Sequence, residues 1–110
     1  MESILTSIKK LLGIDESYEH FDSDIVMHIN TVLMTLSQIG VGPATGFMIE
    51  DENATWQDFI GTDKNLAAVK TYVYLRVKLL FDPPTNSTHT KAIEDAIREY
   101  EWRLNVEAES

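Results

Sequence analysis

Apolar residues recur along this chain at intervals of three and four, the spacing that gathers them on one side of an α-helix. Ile4, Leu5, Ile8, Leu11 and Leu12 form a first stripe, and Gly13 follows where a left-handed cap ends a helix. A helix this short is marginal alone in water, so its stripe must dock on the core or on a neighbouring subunit. A second helix begins near Asp22-Ser23-Asp24, whose short side chains suit an N-cap, and presents Ile25, Ile29, Val32, Leu36 and Ile39 before Gly40 ends it. His28 and Asn30 interrupt this apolar run, and His28 reads first as a hydrogen-bonded core or interface residue.

Between residues 41 and 62 the periodicity stops. Gly42, Pro43 and Gly46 predict a turn or extended loop, and Phe47-Met48-Ile49 can supply one short strand or half of a hairpin. Thr55 with Asp58 three residues on predicts a capping box, and Phe59-Ile60-Gly61 closes a single helical turn. About twenty residues between helices is long for a connection, and such loops are commonly functional. Phe47, Met48, Trp56 and Phe59 argue against disorder, so the section reads as a contact arm.

The third helix, from about Asp63 to Phe81, is apolar on most sides: Leu66, Val69, Val73, Val77 and Leu80 mark one face, Tyr72, Leu75 and Leu79 another. Such a helix is central to its domain or sandwiched between subunits. Asp82-Pro83-Pro84 stops it. A last helix from Thr88 or Thr90 buries Ile93, Ile97, Tyr100 and Leu104, with Glu94 opposite Arg98 and Glu99 opposite Arg103. The chain is expected to fray from Val106, giving a flexible acidic tail over 106–110. The fold class is therefore all-α: one domain over 1–110, a bundle of about four helices with an extended loop over 41–54. Trp56, Phe59, Tyr72, Phe81 and Trp102 are assigned mainly to core packing.

Charge and composition narrow the function. Eighteen acidic against nine basic residues give a net charge of −9, which opposes phosphate-driven nucleic-acid binding. No cysteine is present, so disulfides, thiolate metal sites and cysteine nucleophiles are absent. Met1-Glu2-Ser3-Ile4 does not read as a secretion signal, and Leu66 to Phe81 is interrupted by charges and too short to span a membrane. His20, His28 and His89 lie in different segments, no HExxH or calcium-loop pattern occurs, and the glycines form no phosphate-binding loop. No catalytic, cofactor or metal site is predicted, and the chain is not expected to be an enzyme.

Several pieces in order resemble one family: His28-Ile29-Asn30-Thr31, Ile39-Gly40-Val41-Gly42, Thr55-Trp56-Gln57-Asp58-Phe59, Val69-Lys70-Thr71-Tyr72-Val73, Leu80-Phe81-Asp82-Pro83-Pro84 and Glu101-Trp102-Arg103-Leu104-Asn105. Together they resemble the head-tail connector (adaptor) family of siphophages, also described as possible DNA-packaging proteins, over nearly the whole chain. The resemblance implies a structural subunit of a tailed phage or prophage, assembled as a dodecameric ring at the virion head-tail junction after assembly in the host cytoplasm. Its partners would be the portal above and a stopper or tail-completion protein below, with DNA passing through without specific binding. The alternative is a small soluble assembly or regulatory factor acting by protein-protein contact.

Under the resemblance, residues 41–54 correspond to the family's extended loop. Val41, Phe47, Met48 and Ile49 then become candidates for contact with the portal or a neighbouring subunit, or they cover their own core. Acidity would suit a conduit that DNA must not stick to; on charge alone, ordinary solubility is the simpler explanation. Lys70, Arg76 and Lys78 are costly to bury unpaired, so they are candidates for inter-subunit ion pairs, with internal pairing to Glu94, Asp95 or Glu99 as the simpler alternative.

Overall fold

Ser3 starts the first helix: its hydroxyl accepts the Thr6 amide at 3.2 Å, satisfying one of the free donors of the opening turn. The structure, a computed structural model, describes residues 2–61 and 65–109. Its helices are α1 (Ile4–Leu11), α2 (Asp22–Gln38), α3 (Trp56–Ile60), α4 (Leu66–Phe81) and α5 (Ser87–Glu109). The all-α bundle predicted from periodicity is the fold observed, with α3 the single turn expected after Thr55. The capping box is present in full: Thr55 Oγ1 accepts from the Asp58 amide at 3.1 Å, and the Asp58 carboxylate accepts from the Thr55 amide at 3.0 Å.

Helix α4 is the centre. It packs against α1, α2 and α5, burying Val69, Tyr72, Val73 and Val77. Its other end differs from expectation, because Leu80 emerges beside the Pro83-Pro84 exit and is exposed. The expected start of this helix at Asp63 lies outside the described residues. Helix α1 docks on its own chain's core, against α2 and α4, with Ile4, Leu5 and Ile8 buried. From α2 the core receives Ile25, Ile29, Val32, Leu33 and Leu36, while Ile39 is only half-buried.

Two polar devices join distant segments. Lys9 is buried at 2 % exposure, and its ammonium donates to the carbonyls of Glu16 at 3.0 Å and Tyr18 at 2.8 Å. The cap of α2 was expected within Asp22-Ser23-Asp24. Instead Phe21 occupies the N-cap position with no side-chain cap, and Asp22 Oδ1 forms an ion pair with Lys9 at 2.8 Å. The second device is Trp56, fully buried, whose indole N–H donates to Ser7 Oγ at 2.8 Å.

The β-type pairing also falls elsewhere than expected. Phe47-Met48-Ile49 is extended but forms no strand; the one bridge among the described residues pairs Ser3 with Thr55, antiparallel. Around it Ile4 N–H donates to the Ala54 carbonyl at 3.0 Å and Trp56 N–H to the Glu2 carbonyl at 3.1 Å. Helix α5 buries Ile97 and Leu104, and its helical backbone continues through 106–109, where fraying was expected.

A methionine-lined groove as the candidate functional site

The side of α2 opposite its buried stripe carries Met27, Thr31 and Met34, spaced four and three apart and so stacked on one outward face. Met27 is 59 % exposed and Met34 61 %. The loop after α2 returns alongside this face, and between them lies a groove of about 760 Å³. Its walls are Val26, Met27 and Met34 on the helix, Phe47 and Met48 on the loop, with Asn30 at the junction. Among the described residues no charged side chain lines it, although the chain as a whole carries −9.

Asn30 holds the loop in place. Its side-chain amide donates to the Ile49 carbonyl at 3.0 Å and its carbonyl accepts the Ile49 amide at 2.8 Å. The side chain thereby does what a neighbouring strand would do, which is why an extended segment persists without a sheet. Gly42, at φ +90°, lets the chain turn where any Cβ would collide with the Phe59 ring. Phe47 packs at a tilt against that same ring, centroids 5.3 Å apart.

The four loop residues singled out from the sequence therefore divide. Ile49 is buried, Val41 and Phe47 are half-buried against the core, and Met48 stands 73 % exposed over the groove. Sequence reading did not single out Met27 and Met34. Their signal was present: large apolar residues seven apart on the face that the helical stripe leaves to solvent. Trp102, assigned to the core, is 67 % exposed on α5, the reverse of that expectation, because Ile97 and Leu104 define the buried side and residue 102 falls opposite.

Lys70, Arg76 and Lys78 each have a partner within the chain, but none is Glu94, Asp95 or Glu99. Lys70 pairs with Glu2, Arg76 with Glu101 at 2.9 Å, and Lys78 with Asp82 at 3.0 Å. Arg98 pairs with Asp95 rather than Glu94, while the Glu99–Arg103 pair forms as expected, at 2.7 Å. Glu101 also accepts the Tyr72 hydroxyl at 2.6 Å. Burial and this hydrogen bond push the Tyr72 phenol above the ordinary value of 10.0. The unfolded chain thus ionises this tyrosine first, and the resulting stability is present below pH 10 and is lost as pH rises beyond it. Tyr72→Phe is expected to cost about 1 kcal/mol near neutral pH and to flatten the alkaline loss, both read from urea unfolding. At the surface, hydrogen bonds from the Ser17 hydroxyl and amide hold Asp15 below its usual carboxylate range.

The three histidines stay apart in use: His28 is half-buried with its ring 6.4 Å from that of Phe81, while His20 and His89 are exposed. Among the described residues, no cluster of three or more His, Asp or Glu side chains is placed to hold a metal ion. What the surface offers is an uncharged groove walled by flexible side chains, a shape suited to protein contact. Comparison with known families matches residues 4–110 to the phage connector proteins. The chain belongs to that family. The resemblance read from the sequence is thus the family found. Comparison of the connector with curated proteins and with solved structures gives no match. Among the described residues, no helix of the connector is long and apolar enough to cross a membrane.

Proposed function

We propose that this connector is a ring-forming adaptor of a tailed phage or prophage, seated between the portal and a stopper or tail-completion protein at the virion head-tail junction. Twelve copies would surround a channel through which DNA passes. The observation that carries the reading, beyond family membership, is an uncharged, methionine-walled groove on a chain of net charge −9. Such a chain repels its own copies and DNA alike. Stable assembly then depends on apolar contact, and methionine supplies adaptable surface for it.

The loop residues have distinct parts here. Met48 is the contact residue; Val41, Phe47 and Ile49 act from behind, fixing where Met48 stands. Lys70, Arg76 and Lys78, held by partners of their own chain, can serve subunit contacts only as members of shared ion-pair networks. Electron microscopy with light scattering on the purified chain, alone and mixed with the cognate portal, tests the reading. The expected result is a closed ring, free or appended to the portal. A chain that stays small and never joins the portal would leave a soluble assembly factor as the better description.

A further inference from the structure

We infer that the methionine groove receives the Trp102 ridge of α5 from a second copy of this chain, so that subunits join head to tail. The inference rests on the adaptor reading and names the partner of its groove. Among the described residues neither surface is covered within the subunit, and the two are unlike. The groove is concave; Trp102, with Val106 one turn on, is a convex apolar ridge. After Met48, Trp102 is the most exposed large apolar residue among those described.

Their placement favours an unlike pairing. Helices α2 and α5 both pack on α4, and the groove and the ridge lie on the sides of α2 and α5 turned away from their buried stripes. One rotation that seats ridge in groove therefore leaves a free groove and a free ridge at the two ends, ready for the next copy. Repeating it closes a ring when the rotation divides a full turn. A two-fold pairing of groove with groove would instead face two concave surfaces and enclose a void.

Charge agrees with shape. Exposed Arg98 and Arg103 stand beside Trp102 on α5, each in a surface ion pair along that helix, with Asp95 and Glu99 respectively, while Glu101 next to Trp102 is turned inward to Arg76. At the groove, exposed Asp24 follows the lining residue Ser23, and exposed Glu50 lies just beyond Met48. The ridge is thus flanked by neutralised pairs, weak because they are exposed, whose arginines can be shared with the carboxylates at the groove's rim, and the groove itself asks for no buried charge. Tryptophan with flanking arginine is also the composition that dominates binding energy at interfaces.

The native chain has no cysteine, so disulfide trapping reads the contact directly. Met34→Cys and Val106→Cys chains, each keeping Trp102, are mixed under assembling conditions, with the portal present, and oxidised. The mixed disulfide is expected to exceed either homodimer several-fold. In parallel, acrylamide quenching of the wild-type chain should lose its accessible component on assembly, because Trp56 is already buried and Trp102 becomes so. Met34→Glu should abolish that protection while Trp56 stays shielded, showing an intact fold. Rings that form with Trp102 still quenchable, with homodimers dominating, or with the Met34→Cys chain trapped on the portal instead, overturn the docking and leave the adaptor reading standing. Failure to assemble at all, with or without portal, removes both.

Discussion

Lys9→Met is expected to lower the unfolding free energy by about 3 kcal/mol, the largest loss from any single charge on this chain. Methionine keeps most of the apolar stem, so the effect isolates the ammonium. That group donates to the carbonyls of Glu16 and Tyr18 and neutralises Asp22. Removing it strands two backbone acceptors and leaves the Asp22 carboxylate, 27 % exposed, without its counter-charge. Because the partial exposure of Asp22 lets water recover part of the loss, the cost falls at the low end for breaking a buried pair. Urea unfolding followed by far-UV circular dichroism measures it. Adding Asp22→Asn to Lys9→Met should recover some of the stability, since an amide tolerates the vacated place better than a carboxylate; an additive double variant would mean that the two groups do not interact.

Asn30→Ala is expected to cost about 2–4 kcal/mol and, more tellingly, to free the loop from α2. Both the N–H and the C=O of Ile49 lose their partner at once, and Ile49 is 2 % exposed, so water cannot replace them without the loop moving. Hydrogen exchange should show the Ile49 amide losing protection by at least tenfold more than amides of α4. Asn30→Asp separates the two bonds. It keeps an acceptor for the Ile49 amide but offers the Ile49 carbonyl no donor, so it should hold the loop less well than the wild type; retention of protection in Asn30→Ala, which offers neither partner, would mean that packing of Phe47 on Phe59, not the amide clasp, fixes the segment. Under the adaptor reading the same variants weaken assembly, since one wall of the groove is no longer built.

These two residues show where sequence reading stops. The helices themselves were legible because helical periodicity is local: Ile25, Ile29, Val32 and Leu36 declare a buried face within four turns, and Thr55 with Asp58 declares a cap within four residues. Gly13 and Gly40 marked their helix ends for the same reason, each having the positive φ that the exit requires. Asn30 was visible as an interruption of an apolar helix, but its partner lies nineteen residues away and is a backbone group, which carries no residue signature. Asp22 looked like a cap because cap chemistry depends on residue type; that it serves Lys9 instead follows only from how the segment after α1 folds back.

Family membership, the all-α class and the loop between α2 and α3 were thus determined by the sequence alone, since order of motifs and short-range periodicity are written along the chain. The tertiary structure decided which side of each element is free. Trp102 and Leu80 could be placed on a face by periodicity but not on the solvent side, because whether a face is covered depends on which other helix packs there. The same holds for Met27, Met34 and Met48: their apolar character was in the sequence, and only the return of the loop along α2 gathered them into one groove. Ion pairing of Lys70, Arg76 and Lys78 was decided at the same level, by the approach of Glu2 and Glu101 from distant segments and by the turn that carries Asp82.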